Sequence, residues 1–184
     1  MFVAGSVALL FSVEGARAAK GTKRGKRRPA KRSAPFPNLD PTATVTGIYQ
    51  RAMKDVDGRV VTLSLVKEDR PLQFSAALVA LWDKVDAKPK VSEDDVGPID
   101  FDPVTNSQGL TVKSFTVATE KRDDTSETLA VTIKTDQPRN SPDENIIRYN
   151  FVREDGRWKI DDISSITDGK PWSLAQLLAR SVKN

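Results

Sequence analysis

A change of hydrophobic period after Gly109 limits the fold of this chain more than any other feature. Leu129, Val131 and Ile133 alternate with Thr128, Ala130, Thr132 and Lys134. Ile147, Tyr149 and Phe151 alternate with Arg148, Asn150 and Val152, and Trp158 and Ile160 with Arg157, Lys159 and Asp161. A period of two sends successive side chains to opposite faces, so each segment reads as a half-buried strand. An earlier strand, from Leu110 to Val117, changes phase between Val112 and Phe115, which predicts a bulge. Asp155-Gly156 stands between two of the segments and signals a tight hairpin that buries Trp158 on its inner face. Four strands joined by short links make an antiparallel sheet with one buried face.

Before Gly109 the period is helical. Asp40-Pro41 is an N-cap followed by proline in the first helical turn. Val45, Ile48, Tyr49, Ala52, Met53 and Val56 then form one apolar face, ended by Asp57-Gly58. Phe74, Leu78, Leu81, Trp82 and Val85 share the face of a second helix, and Val60 to Val66 is ambiguous. The chain closes with a third helix. Ser173 and Gln176 have capping-box spacing, and Trp172 and Leu177 have that of a hydrophobic staple. The expected fold is α+β, with two N-terminal helices packed on a four-stranded antiparallel sheet and a C-terminal helix.

The N-terminal residues belong to no such pattern. Phe2 to Phe11 is a short uncharged apolar run, and Ala16-Arg17-Ala18 supplies a small-x-small cleavage site. Residues 1–18 therefore read as a signal peptide, and its missing basic n-region points to a start further upstream. Residues 19–38 read as a disordered basic linker, with eight Lys/Arg between Lys20 and Arg32 and prolines after them. Residues 39–184 form the single α+β domain. Residues 1–34 carry nine Lys/Arg against the one acid Glu14, so the net charge of +4 describes a basic arm on a mildly acidic body. The arm is a spacer, or a binder of anionic lipid or polymer. It has no interleaved aromatic residue for base stacking, which argues against nucleic acid. No later apolar run is long enough to cross a bilayer as a helix. The expected location is the periplasm or outside the cell.

The chain has no Cys and no His. Disulfides, thiolate and imidazole metal sites, cysteine nucleophiles and the Ser-His-Asp triad are excluded.

The helix–helix–sheet order, ending in the strand Trp158-Lys-Ile-Asp-Asp-Ile163, resembles the nuclear-transport-factor-2-like cone. More narrowly, Gly97-Pro-Ile-Asp-Phe-Asp-Pro103, Asn106-Ser-Gln108, Arg157 to Ile163 and Trp172-Ser-Leu174 resemble family 3828 of domains of unknown function, small envelope proteins of Gram-negative bacteria. The resemblance spans Thr42 to Leu178. It implies a curved, cone-like sheet over helices and an exported location, with no activity, cofactor or catalytic residue to carry over.

Six residues are candidates for a ligand site. Asp100 and Asp102 flank Phe101, and in an extended segment their carboxylates share a face, able to share a proton or hold Ca²⁺. The competing reading is an Asx-turn, in which Asp102 accepts backbone N–H groups ahead of Pro103. Tyr49, Trp82, Tyr149 and Trp158 line a cavity between helix and sheet, or simply fill the core. Adjacent strand residues point to opposite faces, so Asp161 and Asp162 act together only across a bulge; one of them caps a helix or pairs with a base such as Arg148. Asp55-Val-Asp57-Gly58 lacks the rest of a calcium loop and is a helix end. No metal or cofactor is expected.

Three functions fit. The first is a non-catalytic envelope domain binding a protein partner or a small apolar ligand. The second is a small isomerase or dehydratase using a pocket Asp with Tyr49 or Tyr149. The third is an anionic-polymer binder acting through the arm.

Overall fold

A computed structural model describes residues 40–54, 63–89 and 97–183. The signal segment, the basic arm, the Asp57-Gly58 stop, the calcium-like Asp55 to Gly58 piece and the acidic stretch Glu93-Asp94-Asp95 lie outside these residues.

Helix α1 (Pro41–Ala52) starts where the cap predicts, with the Asp40 carboxylate accepting the Ala43 N–H at 2.8 Å. Val45, Ile48, Tyr49 and Ala52 are buried, whereas Met53 lies just past the helix and is exposed. The second predicted helix, expected to start at Phe74, is α3 (Ala76–Asp86), divided from a short helix that was not expected, α2 (Arg70–Gln73). Phe74 sits between them in extended backbone and forms a parallel bridge with Ile160. The division has a local cause. Pro71 suits the first turn of α2, and the Ser75 hydroxyl accepts the Leu78 N–H at 3.1 Å, which starts a new helix.

The sheet has five antiparallel strands in chain order, one more than expected: β1 (Val112–Arg122), β2 (Ser126–Thr135), β3 (Ile146–Glu154), β4 (Arg157–Thr167) and β5 (Lys170–Ser173). Asp155 and Gly156 have φ of 48° and 74°, and Asp168 and Gly169 have 50° and 70°. Positive φ at both positions is what a two-residue hairpin turn needs. The second turn folds Lys170–Ser173 back on β4 as the extra strand. The register of β1 slips between Val112 and Ser114, at the predicted bulge, and again between Thr119 and Lys121. On β4 the register passes from Asp162 opposite Asn150 to Ile160 opposite Phe151, so Asp161 is the bulged residue. Helix α4 (Leu174–Lys183) follows β5 directly, and its Gln176 N–H donates to Ser173 Oγ at 3.3 Å.

The register aligns Leu129, Tyr149 and Ile163 across the sheet, and Val131 beside Ile147. All five are fully buried. Helix α1 packs on β1 and β2, while α3 and α4 pack on β4 and on each other. The core is therefore the layer between helices and sheet, and each fully buried large side chain in it contributes about 1.5–3 kcal/mol.

Candidate functional site

The two tyrosines meet in the middle of that layer. Tyr49 comes from α1 and Tyr149 from β3, and both are 0% exposed. Their rings pack edge to face at 6.2 Å, and Tyr49 also packs on Phe115 at 5.3 Å. The Tyr149 hydroxyl donates to that of Tyr49 at 3.2 Å, which donates to the Val104 carbonyl at 2.8 Å. Burial is the main cause that raises both phenol pKa values above the ordinary range. A neutral hydroxyl committed to a backbone carbonyl is a poor proton acceptor.

Of the other four candidates, Asp102 lies close enough for its charge to add to burial in raising both phenol pKa values, whereas no hydrogen bond or ring contact joins Asp100, Trp82 or Trp158 to the pair among the described residues. The Asp102 carboxylate accepts the Val104 N–H at 2.9 Å and the Thr105 hydroxyl at 3.2 Å, the Asx-turn alternative. Asp100 is exposed, and its carbonyl accepts from Gln108 Nε2 at 3.0 Å. Trp82 is buried on α3 with the Arg70 guanidinium 4.3 Å from its ring centroid, and its indole N–H has no hydrogen-bond partner. Trp158 is half-buried instead of buried, near the Asp155-Gly156 turn, with Arg153 5.9 Å from its ring centroid.

Two of the motif pieces that carry the family resemblance, one of them through a hydrogen bond donated by Trp172, meet at a buried residue, Asn106. Its backbone is left-handed, with φ of 53°. Its Nδ2 donates to the Ile166 carbonyl at 2.8 Å, the Glu144 carbonyl at 3.1 Å and Ser165 Oγ at 3.2 Å. Its Oδ1 accepts from Thr167 Oγ1 at 2.7 Å and Trp172 Nε1 at 2.8 Å. Arg139 donates to the carbonyls of Thr105 and Asn106, and Phe101 packs edge-on to Trp172 at 4.8 Å. Asp162 does similar work for α4: its carboxylate accepts the Ala175 N–H at 3.0 Å and the Ser173 hydroxyl at 2.5 Å. The base suggested for it, Arg148, instead forks onto Glu120 at 2.9–3.1 Å. Asn106 and Asp162 thus tie loops, strands and α4 together through hydrogen bonds.

A cleft of about 520 Å³ opens elsewhere, between α2–α3 and the β3–β4 hairpin. Pro71, Val79 and Ala80 form its apolar side, with Asp83, Glu154 and Arg157 around them. Glu154 holds the start of α3, both carboxylate oxygens lying within 3.1 Å of the Ala76 N. Lys159 donates to the Pro71 and Leu72 carbonyls at 2.7 and 3.1 Å, and burial, then Arg157, lowers its pKa. Arg157 is exposed and forms no ion pair among the described residues. Sequence reading missed this cleft, because its walls meet only through contacts distant in sequence: the Phe74–Ile160 bridge, Glu154 on Ala76, and Lys159 on Pro71 and Leu72.

Among the described residues no cluster of three or more metal-ligating side chains occurs, and no helix is long and apolar enough to cross a membrane. Comparison with family models, curated proteins and solved structures gives no match.

Proposed function

We propose that this chain is a non-catalytic, exported envelope domain, akin to family 3828 of domains of unknown function, that binds a protein partner in the cleft beside the β3–β4 hairpin. The observation that carries the reading is the contrast between its two concavities. The aromatic interior is filled by its own side chains, with Tyr49 and Tyr149 fully buried and hydrogen-bonded inward. The cleft is open, has an apolar wall and offers, in Arg157, a guanidinium with no ion pair among the described residues. That combination suits a peptide segment bearing an apolar side chain next to a carboxylate, which Arg157 can hold bidentately. Leu72, exposed beside the cleft, extends the apolar wall. A pocket Asp–Tyr enzyme is less well supported, since the tyrosines face no solvent and Asp102 is engaged in its own turn.

Site-specific photo-crosslinking in a Gram-negative host tests this reading. A photoreactive residue at Ala80 should give one discrete protein adduct in the periplasmic fraction, lost with Arg157→Glu. The same residue at Thr132, on the opposite sheet face, should give none. An Ala80 adduct unaffected by Arg157→Glu, or no adduct from a periplasmic protein lacking residues 1–18, would overturn the cleft assignment. Recovery of the full-length chain from the cytoplasm alone would overturn the exported location.

A further inference from the structure

The apolar layer is unfinished at one edge of the sheet. Core-facing positions on the inner strands are closed: Leu129, Val131, Ile133, Ile147, Tyr149 and Phe151 are at most 2% exposed. Their counterparts on β1, Phe115 and Val117, pair with Ile133 and Val131 and pack against the core, yet are only partly buried. Strand β1 is the edge of the sheet, and its outer side has no backbone partner among the described residues. Edges are commonly blunted by charge, proline or a bulge within the strand. Here the two register slips lie at the ends of β1, and the stretch between them, Ser114 to Thr119, has neither charge nor proline.

We propose that β1 is a docking edge for an extended segment of another protein, which adds as a sixth strand, carries apolar residues at alternate positions and has acidic residues at its ends. Main-chain pairing would supply affinity, and cover over Phe115 and Val117 would supply the apolar term. Charge selects the occupant. Glu120 is drawn across the sheet onto Arg148 at 2.9 Å. Exposed Lys121 has no ion pair among the described residues, and exposed Lys113 has only the longer-range attraction of Asp136. The open stretch is thus bracketed by cations. A second copy of this chain is a poor occupant, because the two-fold register centred on Val117 sets Lys113 opposite Lys121 of the copy, and like charges directly opposite repel. This inference rests on the sheet edge and stands apart from the cleft.

The test uses the mature chain and two synthetic peptides, each a Val-Thr alternation of six residues flanked at both ends by two Glu or by two Lys. The Glu-flanked peptide should bind at least tenfold more tightly than the Lys-flanked one, with amide shifts confined to Val112–Arg122. The exposed double variant Lys113→Glu/Lys121→Glu should reverse that preference. Equal binding of the two peptides, or no binding, overturns the proposal. So does acidic-peptide binding that the double variant leaves intact, since that would be capture by the basic arm. A dimer in sedimentation that the double variant strengthens would show that the edge pairs with itself, and also overturns it.

Discussion

Replacing Asn106 by alanine should be among the most damaging single changes in this domain. The side chain is 2% exposed and serves five partners. Its loss leaves the Trp172 indole N–H and the Thr167 hydroxyl without their acceptor, and the Ile166 and Glu144 carbonyls without a donor. An orphaned buried polar group costs about 1–3 kcal/mol, but Thr167 is exposed and its hydroxyl can turn to water, and Ser165 Oγ keeps its bond to the Ile146 carbonyl at 2.7 Å, so these two lose less. Backbone adds to the loss. Asn tolerates φ of 53° better than Ala, for which left-handed backbone costs about 1–2 kcal/mol. Partial relaxation and water entry reduce the sum, so Asn106→Ala should lose about 3–5 kcal/mol, a large part of a typical 5–15 kcal/mol total. Asn106→Gly keeps the polar loss but removes the backbone penalty, and should recover about 1 kcal/mol of it. Urea unfolding followed by tryptophan fluorescence reads both. A loss below about 1 kcal/mol for Asn106→Ala would refute the reasoning, because the network would then be replaceable by water.

Asp162→Ala should cost about 1–2 kcal/mol in the same assay, because α4 loses an acceptor at its first turn and Ser173 loses its partner; an unchanged urea midpoint would show that the cap is idle. Asp123 accepts four hydrogen bonds from Thr125 and Ser126 in the β1–β2 turn, led by the Ser126 hydroxyl, and these hold its pKa below the ordinary carboxylate range. A depressed folded pKa stabilises the fold above the unfolded value of about 3.9, and the contribution is lost as pH falls toward the folded value. The melting temperature of Asp123→Asn should therefore lie below that of the wild type at pH 7, and the gap should narrow by pH 2. A gap independent of pH would rule out a charged-state origin.

The strands were legible where alternation and turn chemistry agree. Leu129 to Ile133 and Ile147 to Phe151 show their buried face directly, and Asp155-Gly156 marks its hairpin. Strand β5 was not legible, because Lys170-Pro-Trp-Ser has no alternation and pairs only through the turn before it. Phe74 fits the helical face by spacing, yet its bridge to Ile160, distant in sequence, sets its backbone. Asn106 shows the same limit more sharply, since its partners from Glu144 to Trp172 lie far along the chain and only the tolerance of Asn for left-handed backbone is local. Glu127 continues the buried phase of Leu129, Val131 and Ile133 as an acid. It is 1% exposed, accepts from Thr119 Oγ1 at 3.2 Å and faces Arg122 at 3.5 Å. Alternation gives its face but not the partner that makes an acid tolerable there.

The aromatic interior is packed core, and its two tyrosines report on it directly. The chain has only two, and both are in that interior. Burial raises both phenol pKa values, so the fold resists ionisation at the unfolded value of about 10 and loses stability as pH rises beyond it. Titration of phenolate absorbance near 295 nm, with near-ultraviolet circular dichroism in parallel, should show no ionised tyrosine near pH 10 while the fold persists. Above that, both should ionise in one step together with loss of the dichroism signal. A tyrosine that titrates reversibly near pH 10 in the folded protein would contradict this packing, for it would require a solvent-reached cavity in place of packed side chains.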